Sequence, residues 1–78
     1  MAGNLTKNEL AILQALDSAS DKILDFNDLR KTVGLTVRGF RTIINRMESA
    51  YLIGRAGFCQ LTITFKGLRE LADERVSA

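Results

Sequence analysis

Three consecutive residues, Gly34-Leu35-Thr36, constrain this chain more than any other stretch. On one side, Phe26, Leu29 and Val33 recur at helical spacing, behind Asp25, Asn27 and Asp28, which suit a helix start near Asp25 to Asn27. Exposed amides and the helix dipole favour acceptors and negative charge there. Gly34 suits the left-handed residue that ends such a helix. On the other side, Thr36 can cap a third helix from about Val37 to Ala50. Val37, Phe40, Ile44 and Met47, helped by Ile43, give that helix a buried stripe. Two helices joined by a glycine-containing turn of this length form a helix-turn-helix.

The flanks complete an architecture. Thr6 with Glu9 three residues on is a capping box, and Leu5 with Leu10 fits a hydrophobic staple. Leu10, Leu13 and Leu16, with Ala11, Ile12 and Ala15, carry an apolar face through about Asp17, and Ser18-Ala19-Ser20-Asp21 reads as a loop. After Tyr51 the period changes from helical to two. Leu52-Ile53 opens a strand and Gly54-Arg55-Ala56-Gly57 carries turn signals. From Phe58 to Phe65 the residues alternate, with Cys59, Leu61, Ile63 and Phe65 on one face, so the two strands make a hairpin. Thr64 can cap a last helix with Leu68, Leu71, Ala72 and Val76 on its apolar face. The expected fold class is α+β, mainly α, in a single domain over 1–78 with ends frayed at 1–4 and 76–78.

Size and composition close off whole classes of function. At 78 residues the chain supports one small core and no room for a substrate pocket of several hundred cubic ångströms beside it. It has no histidine, which excludes imidazole acid–base chemistry and His-ligated zinc. Its lone cysteine, Cys59, permits no internal disulfide, and its alternation with Leu61 and Ile63 reads as a small core hydrophobe. The carboxylate pairs Asp25/Asp28 and Asp73/Glu74 fall at expected helix ends, where capping or solvation accounts for them. No enzyme, cofactor, metal or small-molecule ligand is expected. No apolar run is long enough to span a bilayer, and the start lacks the basic and apolar stretches of a signal peptide, so the expected location is cytoplasmic, with the nucleoid if DNA is bound.

Charge is unevenly placed. Residues 1–29 hold two bases and five acids, net −3; residues 30–69 hold eight bases and Glu48 alone, net +7; residues 70–78 hold one base and three acids, net −2. Segregation of this kind is the footprint of a surface that meets a polyanion. Arg38, Arg41, Thr42, Asn45 and Arg46 fall on the side of the third helix opposite its apolar stripe. The alternative is a solubilising face on an amphipathic helix. Lys66 and Arg69 occupy the first turns of the last helix, where cations oppose the dipole, which suggests phosphate contact or a solvated face. Arg30 and Lys31 close the second helix, where cations belong. Phe58 either stacks on a partner or caps the hairpin tip, and Tyr51 packs at a helix end.

Leu29, Gly34-Leu35-Thr36 and Ile43-Ile44-Asn45-Arg46-Met47-Glu48 resemble the "L…GL(S/T)…LVDRLE" run of bacterial winged-helix regulators, with the antibiotic-resistance regulator family and related small repressors as the nearest type. Leu52-Ile53 is similar to their "GL(I/V)" entry into the wing. Ile63-Thr64-Phe65-Lys66-Gly67 with Leu71 is similar to their "LTxxG…L" exit. The resemblance spans roughly residues 5 to 75. It implies a winged helix: a three-helix helix-turn-helix core, a two-stranded wing hairpin and a C-terminal helix. It also implies a small transcriptional regulator of bacterial, archaeal or mobile-element type that binds double-stranded DNA sequence-specifically. With the third helix in the major groove, Thr36, Arg38, Gly39, Arg41, Thr42 and Asn45 would face the DNA, Thr36 would reach a phosphate, Arg46 would clamp another, and Arg55 would touch the backbone or minor groove from the wing.

Three departures from that pattern matter. Tyr51 stands where the family has glycine, so the third helix is expected to end differently. The wing is short and holds one base. The long terminal helices through which larger members dimerise and bind small molecules are missing, so no effector is expected. A second copy on an adjacent half-site would supply specificity, through the last helix or the Leu10–Leu16 face. The rival reading is a winged helix used as a protein–protein interaction module in a replication or transcription assembly.

Overall fold

The computed structural model describes residues 5–77, with side chains through Glu74; of the residues expected to fray, 1–4 and Ala78 lie outside the described residues, while 76 and 77 belong to the last helix. Helices α1 (Lys7–Ser18), α2 (Phe26–Val33), α3 (Val37–Ser49) and α4 (Phe65–Ser77) surround strands β1 (Ile23–Asp25), β2 (Ile53–Arg55) and β3 (Gln60–Ile63). The layout is that of a winged helix, α+β and mainly helical, as the sequence implies.

Each helix start is set by a side chain the sequence singles out. The Thr6 hydroxyl accepts from the Glu9 amide, and the Glu9 carboxylate accepts from the Thr6 amide at 2.9 Å, closing the capping box. Asp25 caps α2 by accepting from the Asn27 amide. Thr36 and Thr64 accept from the amides of Gly39 and Gly67, three residues on, at 3.1 and 3.0 Å. Gly34 ends α2 at φ +74°, with its own amide and that of Leu35 turned back onto the last carbonyls of the helix. That is the Schellman closure. The Arg30 guanidinium donates to the Leu35 carbonyl at 3.0 Å and so braces the turn into α3.

The end of α3 corrects one expectation. It closes in the same way as α2, with Tyr51 donating to the Glu48 carbonyl and Leu52 to that of Met47, but the left-handed position at φ +63° is held by tyrosine. Tyr51 is 74% exposed, so burial does little to offset the backbone strain, and the expected packing of Tyr51 at the helix end is not seen.

The expected two-stranded hairpin is a three-stranded antiparallel sheet in the order β1-β3-β2. Ile23 pairs with Thr62 and Asp25 with Gln60, while Ile53 pairs with Ile63 and Arg55 with Leu61. The extra strand lies where a loop leads into α2. It is held further by the Thr62 hydroxyl, which donates to the Lys22 carbonyl at 2.9 Å, and by the Phe26 amide, which donates to the Cys59 carbonyl at 2.8 Å. The wing is thereby tied to the start of α2 rather than standing free.

Ile12, Leu13, Leu16, Leu29, Phe40, Ile44, Met47, Leu52, Ile53, Leu61, Ile63 and Leu71 form one continuous core drawn from every element except β1. Phe26 packs edge-on against Phe40 with ring centroids 4.8 Å apart. Helix α4 comes so close that a Cβ on Gly67 would lie 2.3 Å from the Leu52 carbonyl oxygen; glycine is required there by sterics. Ile12, Leu13 and Leu16 are wholly buried within the domain, while Leu10 is half-buried and keeps part of its surface outward.

Three other expectations fail at element ends, where a periodic pattern stops predicting burial. Val37, the first residue of α3, is 47% exposed rather than part of the buried stripe. Cys59 precedes β3 and is exposed in the wing, not a core residue. Phe65 opens α4 and is exposed, not the last inward residue of the strand. Within β3 the alternation holds, with Leu61 and Ile63 buried and Gln60 exposed.

Candidate nucleic-acid interface

The solvent face of α3 follows from its inner one. Phe40, Ile44 and Met47 are driven into the core at successive turns, and a helix that buries those positions must present the intervening ones outward. Arg38, Arg41, Thr42, Asn45 and Arg46 are all exposed, Thr36 is exposed at the cap, and Gly39 is half-buried beside it. The first turn of α3 holds no acid. Among the described residues Arg38, Arg41 and Arg46 form no ion pair, so their charge is uncommitted. The Thr42 hydroxyl donates to the Arg38 carbonyl at 3.1 Å, which holds it against its own helix.

Arg55 is placed differently from the other cations. Its Nε donates to the Glu48 carboxylate at 3.0 Å and its second guanidinium contact is 3.4 Å, with about half of its side chain exposed. The wing's one base is thus paired with Glu48, the single acidic residue of α3. Exposed pairs of this kind contribute roughly 0–1 kcal/mol and exchange readily.

Lys66 and Arg30 turn out to serve the scaffold. The Lys66 ammonium donates to the Ala50 carbonyl at 3.0 Å, so a cation badly placed at the start of α4 is well placed at the C-terminal end of α3. The sequence could not show this, because it depends on how α4 crosses the end of α3. Arg69 is exposed on α4.

Between the start of α2, the outer side of α3 and the wing lies an open cleft of about 410 Å³, which corrects the expectation that so short a chain leaves no space of several hundred cubic ångströms beside its core. Arg41, Asn45, Arg55 and Phe58 line it, together with Asp25 and Asn27 from the start of α2. The sequence marks Asp25 and Asn27 only as helix-start residues. Their convergence on α3 follows from the β1–β3 pairing, which carries no short-range signal. The Phe58 ring is 99% exposed at the wing tip and borders the same cleft as Arg41 and Asn45. The aromatic tip and the basic face of α3 therefore look out on the same side of the molecule.

A compact winged-helix domain with an exposed, basic third helix is the class these features define. No family model matches the chain, and no curated protein matches its sequence. Among solved structures, ligand-free NadR is similar, with a TM-score of 0.84 and 24% identity over 95% of this chain. The chain spans 55% of the NadR chain, and the likeness at this identity is one of fold. No helix among the described residues is long and apolar enough to cross a membrane.

Proposed function

We propose that this protein is a small transcriptional regulator that binds double-stranded DNA sequence-specifically, with α3 as the element that enters the major groove. The observation that carries the proposal is the row of exposed, unpaired cations and amide on one side of α3, opposite a fully buried side. The similarity in fold to NadR, a transcriptional regulator, supports the regulatory part.

The B-DNA major groove is about 12 Å wide and admits a single helix, whose amino-terminal residues meet base edges. Arg38 and Arg41 stand in the first half of α3 and supply donors that pair with guanine O6 and N7, worth roughly 1–3 kcal/mol of discrimination per good pair. Asn45, one turn beyond Arg41, suits adenine. Gly39 leaves space for the backbone to approach, and Thr36 and Arg46 reach phosphates. Arg55 contributes once it leaves Glu48. A single module of this size covers roughly 600–1,000 Å² of DNA, so two copies on adjacent half-sites would supply specificity, with α4 or the half-buried Leu10 face of α1 as the contact between them. Regulation would follow from occlusion or recruitment at a promoter.

A protein-interaction role has one observation in its favour. Tyr51 and Phe65, 74% and 76% exposed, lie at the junction of α3 and α4, where the Thr64 hydroxyl donates to the Tyr51 carbonyl. Fluorescence anisotropy on a mixed-sequence duplex separates the two readings. DNA binding requires affinity that falls steeply with salt, by nearly one unit of log–log slope per phosphate neutralised, and that is largely lost in Arg38→Ala/Arg41→Ala. Equal, weak binding by wild type and variant would rule out α3 as the reader and favour the protein-interaction module.

A further inference from the structure

We propose that Phe58 is an apolar wedge that enters a DNA base step from the wing tip and favours deformable sequence. The proposal rests on the DNA-binding reading of α3 and adds to it a second specificity element of a different physical kind.

Three observations combine. Phe58 is 99% exposed, so it contributes almost nothing to the core, and the hairpin could fold with a small polar residue in its place. It borders the cleft that Arg41 and Asn45 line, which puts it on the side where α3 would meet the duplex. Finally, the tip carries no charge of its own: Ala56, Gly57, Phe58 and Cys59 are neutral, and Arg55 beside them is paired with Glu48. A wing of this composition gains little from phosphates.

What it offers is a ring with no hydrogen-bonding atom. Such a group cannot read base edges by donor and acceptor pattern. It gains by stacking on a base face where a step opens, as inserted apolar side chains do when they kink a duplex. Opening is cheapest at pyrimidine–purine steps such as TpA and dearest in A-tracts. The wing is also held to the start of α2, since the Phe26 amide donates to the Cys59 carbonyl and the sheet ties β3 to β1, and the Phe26 ring in turn packs on Phe40 of α3. A wedge on a rigid mount converts binding into deformation of the DNA instead of bending aside.

The test compares two duplexes of identical base composition, one alternating TpA and ApT steps and one a continuous A-tract, by anisotropy at low salt. The proteins are wild type, Phe58→Ala, Phe58→Leu and Arg38→Ala/Arg41→Ala. Wild type is expected to prefer the alternating duplex, and Phe58→Ala to lose about five- to tenfold of that preference, within the range measured for base–aromatic stacking. Phe58→Leu keeps an apolar wedge and should retain most of it. Phe58→Ala with an unchanged ratio between the duplexes overturns the wedge and leaves the ring for a protein surface, while α3 can still be the reader. Loss of both affinities in the Arg38/Arg41 variant supports the α3 reading on its own. No binding of either duplex by wild type would overturn both. Because the ring is exposed, none of these outcomes is confused by misfolding, which circular dichroism checks.

Discussion

Gly39 and Gly67 form a natural matched pair. Each lies three residues after a capping threonine, each donates its amide to that threonine's hydroxyl, and each sits in the first turn of a helix. By local propensity, replacing either with alanine should stabilise its helix by the same amount, at most about 1 kcal/mol and less so near an end. The surroundings separate them. A Cβ at Gly39 would meet only the Thr36 hydroxyl, at 3.2 Å, and Thr36 is exposed and free to shift by a few tenths of an ångström. A Cβ at Gly67 would lie 2.3 Å from the Leu52 carbonyl oxygen, 2.9 Å from Ile63 Cγ1 and 3.2 Å from Leu13 Cδ2. The Leu52 carbonyl cannot swing aside without losing its bond from the Thr64 amide. Relief to an ordinary carbon–oxygen contact of about 3.3 Å requires α4 to retreat by about 1 Å. Overpacking of this kind costs about 1–3 kcal/mol, with the upper end fitting a clash against backbone. Set against the propensity gain, Gly67→Ala should destabilise by about 2 kcal/mol and Gly39→Ala should fall between neutral and about 0.5 kcal/mol stabilising. Urea unfolding followed by far-UV circular dichroism reads both, and in thermal melts the Gly67 variant should drop by about 8–16 °C. Equal midpoints for the two variants would refute the close approach of α4 to Leu52.

Other outcomes follow from the same geometry. Tyr51→Gly should raise stability by about 0.5–1 kcal/mol, because it removes left-handed strain from an exposed residue while adding some unfolded-state entropy; a higher thermal midpoint checks it. Cys59 should react stoichiometrically with an aromatic disulfide reagent in the native protein, at nearly the rate seen in denaturant, whereas slow reaction would place it back in the core. Glu48→Gln should free Arg55, tighten low-salt DNA binding about two- to fivefold and steepen the log–log salt slope by nearly one unit, with little change in stability.

What could be read from the sequence was what neighbouring residues decide. Thr6 with Glu9, Asp25, Thr36 and Thr64 fix the starts of all four helices by bonds spanning two or three residues, and Gly34 fixes one end. The arginine face of α3 was legible because burial of Phe40, Ile44 and Met47 leaves those positions no other side. The features that escaped depend on partners distant in the chain. Strand β1 is three residues with no alternation, and it exists as a strand only because β3 lies beside it. The Lys66 bond to Ala50 and the Arg55 pair with Glu48 join different elements, so spacing alone does not announce them. Alternation misplaces Cys59 and Phe65 because it shows which residues share a face but not where the ladder stops.

The strand order has a consequence for how the molecule assembles. The middle strand of the sheet is the last of the three in the chain, and both edge strands bond to it and not to each other. Until Gln60–Ile63 are in place, the residues destined for β1 have no ladder to join, although α1 on one side and α2 on the other can already be forming. Helical contacts are local and quick, whereas closing the β1–β3 pair requires the chain to return across α2, α3 and β2. The sheet should therefore act as the slow latch on a fast helical scaffold, and anything that weakens β3 should retard folding more than an equally destabilising change at the outer end of α4.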